Sequence, residues 1–478
     1  MLVVNIKRIA WYFLCYISIL FSVFILGTKT FLIFVIAIVG TLPFVRATIS
    51  RSSDMFSPKV LLPFTYTLYA LGPLQASVQY PKHEIIHYLL LQLLGLFAMY
   101  LGLHIAIKRK FNPDVCYALE PLRGRTKVVL LLTFVIIMFL SAVSLVSYFI
   151  TFGGITSYIK VGYGGDFYLT LQEKGMVIGA GFEWCLLGAA LVLFYGIKKP
   201  YKSYLVGGIT IFTFVSSIIL LTGRRHQFVY PLLFALTLFH YGYRRLSPPL
   251  VLVGILIGIS VAQYYALARF FLPKGLIYAL TQTWSVVVKN FHLIAPWSAN
   301  EFRMPAASLL EVLHYGSPGL LLGRSYIASL GAPIPFLARL VKQFGFDVNE
   351  WRMATFYPLI WIAGGGLGFS PVTESYLNFG VVGIFLHLFL YGYIIGRIYN
   401  RFLTKPSWST LFLLAGSFPM FMLEGMRIHT ASFVWKWVRI YLMPWTIFII
   451  LKVLLPKQPV QSYTLSTDFM QTHENIPE

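Results

Sequence analysis

Apolar runs about 20 residues long recur along this chain, separated by short clusters of Lys, Arg, Pro and Gly, and that length matches a helix crossing a hydrocarbon core. Such runs fall at 10–26, 30–46, 60–76, 85–107, 128–150, 176–197, 203–222, 227–243, 248–268, 376–396, 408–424 and 432–455. The pattern predicts an all-α fold, a polytopic membrane helix bundle of about 12 transmembrane helices. Two stretches, 151–175 and 269–373, hold too much Pro, Gly and charge to span. The expected layout is helices 1–9 within 1–268, a large loop 269–373, helices 10–12 within 374–456, and a polar tail 457–478 that reads as disordered. The first run follows a basic start but lacks a small-residue cleavage site, so it reads as a retained helix. Inside the large loop, helix punctuation starts a helix at Pro305 and stops it at Gly316, and starts another at Pro335 and stops it at Gly345. These amphipathic stretches are expected to lie along the membrane surface.

Charge sets the orientation. The chain is 58% hydrophobic and 11% charged, which excludes an ordinary soluble domain, and its net charge of +22 sits in clusters beside the spans. Cations so placed face lipid headgroups, and no soluble domain remains to bind nucleic acid. Cys15 and Cys185 lie in apolar spans and Cys116 in a basic loop, so no pair is placed for a disulfide. With short basic loops inside, both termini and the segments around Lys108, Lys198, Arg244 and Arg401 face the cytoplasm. The loop 151–175, the turn TGRRH, the segment 269–373 and EGMRIHT then face outward.

Three outward stretches could carry chemistry. Arg224 and Arg225 precede a helix whose N-terminus presents unpaired N–H groups, an arrangement suited to phosphate or diphosphate; snorkelling to headgroups is the plainer reading. In LEGMRIHTASFVWKWVR, Arg427 and His429 occupy a turn, and Lys436 and Arg439 fall three apart on one face of the last span. Either they line a polar cavity or they pair with Glu424 and lipid phosphate. In GGGLGFSPVTESYLNFGVVG, Ser370 and Pro371 read as N-cap and first turn. That puts Glu374 where the helix dipole favours its ionised form, as a general base facing the outer cavity or as a simple dipole partner. His226 and His314 each stand alone in their stretch. No P-loop, Asp-x-Asp or His-Glu-x-x-His pattern occurs, and Asp347 with Glu350 fits a solvated helix face, so no metal site and no cofactor is expected.

The order of spans, the arginine-bearing turn, the long loop ending in GGGLGFSPVTESYLNFGVVG and the late LEGMRIHTASF segment together resemble the Wzy-type O-antigen polymerases, also called oligosaccharide repeat unit polymerases. The resemblance implies a bacterial inner-membrane glycosyltransferase, similar in fold to the membrane glycosyltransferases of the C class. It would work at the periplasmic face, without metal or nucleotide sugar, moving the growing glycan from undecaprenyl diphosphate to a sugar hydroxyl of an incoming unit. Implied partners are lipid-linked oligosaccharides, membrane lipids and a chain-length regulator of the same pathway. On this reading Arg224 and Arg225 bind the donor diphosphate, Arg427 or Arg439 completes the cradle, and Glu374 takes the hydroxyl proton, with His314 second. His226, His429, Arg324, Arg352 and Tyr376 are further candidates, and Arg339 a weaker one. An O-antigen ligase, or a flippase for the same lipid-linked sugars, stays open; Glu183, placed within the sixth span, is the residue a transporter would use.

Overall fold

The computed structural model describes residues 27–49, 54–74, 80–109, 119, 124–154, 157, 180–198, 201–221, 226–268, 271, 274–294, 300–316, 319–333, 335–346 and 369–456. The described residues are helical throughout, with no strand among them. In chain order the helices are α1 (Gly27–Ile49), α2 (Pro58–Leu71), α3 (Lys82–Ala106), α4 (Gly124–Phe152), α5 (Gly181–Lys198), α6 (Lys202–Leu221), α7 (His226–Gly242) and α8 (Pro248–Ala268). The segment expected as a large loop holds α9 (Leu276–Lys289), α10 (Asn300–Tyr315), α11 (Arg324–Gly331) and α12 (Pro335–Gln343). Then come α13 (Pro371–Thr404), α14 (Trp408–Met422), α15 (Thr430–Lys436) with a π turn over Trp437–Tyr441, and α16 (Met443–Leu454).

Eight of the described helices are long and apolar enough to cross a membrane, and Thr430–Tyr441 with Met443–Leu454, bent by 45°, makes a ninth if it is one span. The count of twelve is therefore not what the described residues give. The run at 10–26 lies outside them, and the runs at 60–76 and 227–243 form helices of 14 and 17 residues. At 1.5 Å per residue these cover only about 21–26 Å, short of a hydrocarbon core of about 30 Å. Pro63 and Pro231 lie inside them.

Helices α5 and α14 are buried along almost their whole length, whereas α1, α6 and α8 expose apolar side chains such as Phe34, Phe214 and Ile257. In a lipid solvent this is the expected sorting: the most sheltered helices are central and the apolar exposed ones face acyl chains. The most extensive pairing is α3 with α13. Glycine makes it possible, because a Cβ on Gly102 would lie 2.2 Å from the Phe389 carbonyl oxygen and one on Gly392 2.3 Å from that of Met99.

One end of the bundle is closed by polar contacts. The start of α2 meets the ends of α3, α7 and α13 around Asp54, which is fully buried. Its Oδ1 accepts from Phe56 N (2.9 Å) and faces His240 Nε2 (3.0 Å), while Tyr241 and Tyr399 donate to Oδ2, each at 2.6 Å. Asn400 Oδ1 accepts from Lys108 N and Arg109 N, capping α3, and Lys198 Nζ reaches Gly242 O at 2.9 Å. The opposite end gathers α10–α12 and the first turns of α7 and α13.

Two expectations about local structure change. The helix expected to begin at Pro305 begins at Asn300, with Pro305 inside it. The apolar stripe already starts at Phe302 and continues through Ala306, Leu309 and Leu310, all buried, so packing outweighs one lost backbone hydrogen bond. Ser370 is the N-cap of α13 as expected, but α13 breaks at Phe379 and Gly380, where Gly380 takes φ 60°. The carbonyls of Leu377 and Asn378 accept from Leu321 N and Leu322 N, so the connection into α11 satisfies the break.

Candidate functional site

Glu424 organises the end of the bundle opposite Asp54. It lies in a tight turn after α14, where Gly425 is required because a Cβ there would meet the Tyr391 hydroxyl at 2.1 Å. Tyr391 donates to Phe421 O at 2.8 Å and so caps α14. The Glu424 side chain is 2% exposed, and burial of a carboxylate this deep costs several kcal/mol unless donors surround it. They do. Lys436 Nζ donates to Oε1, Tyr230 OH donates to Oε2, and Arg427 Nε stands 4.0 Å from Oε2. The charge of His226 at the start of α7 also acts on it. The cations keep more contact with the surroundings than the acid, at 23% side-chain exposure for Lys436 and 27% for Arg427. One buried anion thus holds two partly exposed cations, which leaves the cluster net positive.

The start of α7 and the segment LEGMRIHT, far apart in sequence, therefore meet at one place through Tyr230, Glu424 and Arg427. Arg224 and Arg225 themselves lie outside the described residues, as does Arg352. Lys436 and Arg439 were expected on one face, but the π turn intervenes and they take different partners. The Arg439 guanidinium lies 5.4 Å from the Trp435 ring centre, and its carbonyl accepts from Trp184 Nε1. His429 sits beside Arg427 with Nε2 3.1 Å from Ser432 Oγ.

Glu374 does not face an open cavity. It is 1% exposed, and both oxygens are engaged: Oε1 accepts from Ser325 Oγ (2.8 Å), and Oε2 from Thr430 N and Thr430 Oγ1 (both 2.7 Å). Asn378 Nδ2 donates to Ser325 Oγ at 2.7 Å, and Phe369 N to Arg427 O at 2.9 Å. The carboxylate thereby ties α11 and α13 to the first residue of α15, the helix that carries Lys436. His314 is elsewhere, at the end of α10, with Nδ1 3.0 Å from Glu84 Oε2 on α3 and a side chain 34% exposed. Tyr376 is half-buried with its ring against His87, and Arg324 is exposed with Nη2 3.4 Å from Gly345 O. Glu183 falls in the first turn of α5 and is buried there, rather than midway along a span.

Sequence reading missed Tyr230, Ser325 and Thr430, whose hydroxyls have no signature of their own. Glu424 did have one: a lone carboxylate in the apolar run FMLEGM demands a cation, and Lys436 and Arg427 follow it closely. No curated protein and no solved structure matches the chain. Residues 334–458, which contain Glu374, Glu424, Arg427 and Lys436, match the family model described as O-antigen polysaccharide polymerase Wzy, and this match supports a Wzy-type O-antigen polymerase.

Proposed function

We propose that this membrane-embedded polymerase joins repeat units carried on undecaprenyl diphosphate, and that the cations held on Glu424 grip the donor's diphosphate. The observation that carries the reading is the cluster itself, with a buried carboxylate fixing Lys436 and Arg427 at the membrane-end of a helix bundle. Breaking a sugar–diphosphate bond builds negative charge on the leaving group, and cations fixed beforehand in a poorly hydrated place stabilise that charge with little reorganisation. Arg224 and Arg225 immediately precede His226 in the sequence and are assigned to the same diphosphate on that ground; Arg439 is assigned to it as well. The diphosphate's charge is met by side chains, and transfer proceeds without a divalent metal.

The acceptor hydroxyl must lose a proton as it attacks. Of the two bases expected, His314 is the more accessible: its side chain is 34% exposed, and Glu84 holds its Nδ1 and orients the ring, which leaves Nε2 to accept. Glu374, saturated with donors, is a positioning residue for the turn that carries His429 and Thr430. The basic loops near Lys198 and Arg244 gather at the other end, which supports a reading of the Glu424 end as the periplasmic side of the inner membrane.

Purified protein given lipid-linked repeat units alone tests the reading. A ladder of lengthening products, unchanged by a metal chelator, is expected. An O-antigen ligase or a flippase would leave the units unjoined. Arg224→Ala with Arg225→Ala should slow the ladder on the order of a hundredfold.

A further inference from the structure

We propose that the hairpin formed by α11 and α12 docks on the anionic headgroup layer of the bilayer, with its apolar edge in the lipid and its cations on the phosphates. The two helices touch closely: a Cβ on Gly331 would lie 2.9 Å from the Ala338 Cα, so the pair presents one joint surface. That surface is apolar in one arc. Phe336 and Leu340 on α12 and Phe344 just after it, four residues apart, are 72%, 39% and 72% exposed, and Ile327 and Leu330 on α11 are 40% and 69% exposed. Between Arg324 and Gly345 the sequence carries Arg324, Arg339 and Lys342 and no Asp or Glu. Arg339 and Lys342 are exposed along the flank of the arc.

A nine-residue helix is about 14 Å long, too short to cross a membrane. A short helix with an aromatic edge and a basic flank is the form that lies in the interface, the edge reaching the boundary of headgroup and acyl chain. Charge selects the occupant: Arg339 and Lys342, exposed beside the apolar arc, match a phosphate-rich surface.

The hairpin's other side is bolted to the body. Ser325 donates to Glu374, and the Tyr326 hydroxyl lies 3.2 Å from Ser375 Oγ and 2.9 Å from His387 Nδ1, both on α13. Through Glu374 this anchor also holds Thr430 at the head of α15. A docked hairpin therefore fixes the depth of the Lys436-bearing helix relative to the headgroups.

The inference rests on the membrane-embedded fold and not on the catalytic assignment, and its test reads no activity. Full-length protein with Cys15, Cys116 and Cys185 replaced by Ala, and with Phe336→Cys or Phe344→Cys carrying an environment-sensitive fluorophore, is reconstituted in nanodiscs. One set of discs contains phosphatidylcholine, the other phosphatidylcholine with phosphatidylglycerol. Nitroxide lipids labelled near the headgroup should quench both sites about threefold more than lipids labelled near the chain terminus, as a shallow interfacial helix requires. Quenching should strengthen in the anionic discs, and Arg339→Gln with Lys342→Gln should abolish that gain. Equal quenching by aqueous iodide in discs and in detergent would overturn the proposal. So would stronger quenching by the deep nitroxide, or protection that appears only when two copies share a disc, which would mark a protein contact.

Discussion

Asp54 and Glu424 are both buried carboxylates that bind several helices together at opposite ends of the same bundle, yet their surroundings differ in kind. Asp54 is met by a backbone N–H, two phenols and the His240 ring, all of them enclosed. His240 Nδ1 accepts from Leu246 N at 3.1 Å, so the ring proton sits on Nε2 and points at Asp54. Glu424 is met by Lys436 and Arg427, whose heads remain partly exposed. Both arrangements offset the cost of burying a charge. The first is sealed from the surroundings and makes a closed joint; the second leaves positive charge beside a place a ligand could reach. Burial of an acid is thus uninformative about function until the charge and exposure of its partners are known.

The contrast breaks most easily at the cations. Lys436→Met and Arg427→Ala combined with Glu424→Gln should lower the polymerisation rate by about 10²–10³ while the membrane level of the protein is kept, because the acid whose burial the cations offset is neutralised together with them. His314→Ala should lower the same rate by about 10²-fold, the lower bound for a positioned proton acceptor. Full activity in the cation variant would make the Glu424 cluster a joint like the other one.

Asp54→Ala should do the reverse. Removing the acceptor strands three side-chain donors in a sealed place, at about 3 kcal/mol or more of stability, while the rate per folded molecule holds. Thermal unfolding in detergent and a rate normalised to folded protein separate the two effects. The same joint gives a pH prediction. Burial by itself would raise the Asp54 carboxyl, but the hydrogen bonds from His240, Tyr241 and Tyr399 outweigh it and hold the group below its ordinary 3.8. A group lowered in the folded state contributes stability above its ordinary value, and that contribution fades as pH falls through the lowered one. Unfolding midpoints of the parent and Asp54→Ala proteins should therefore converge only in strongly acidic solution.

How much of this was legible beforehand follows from what each feature depends on. Apolar runs report spans directly, and the N-cap at Ser370 is local chemistry, so both could be read. The meeting of Tyr230 with Glu424 could not, because it depends on α7 lying against α14, which no local pattern states. Glu374 illustrates the same limit. Its place in the first turn was readable, but its partners Ser325 and Thr430 come from segments 49 and 56 residues away, and they turn an expected open base into an internal tie. The break at Phe379–Gly380 was hidden because Gly within an apolar run is common in membrane helices.

The finest test of the contrast removes one phenol from each carboxylate. Tyr399→Phe takes a 2.6 Å donor from Asp54 and leaves His240, Tyr241 and Phe56 N in place. About 1–2 kcal/mol of stability should go, since a hydrogen bond to a charged group is worth roughly that, and the rate should not move. Tyr230→Phe takes the corresponding donor from Glu424. There the remaining partners are cations with partly exposed heads, and a carboxylate short of one donor draws Lys436 and Arg427 more firmly to itself. Less of their charge is then offered outward, so the concentration of lipid-linked donor needed for half-maximal rate should rise severalfold while stability changes less than at Tyr399. Equal stability losses with unchanged kinetics at both tyrosines would mean that the two ends differ in composition but not in role.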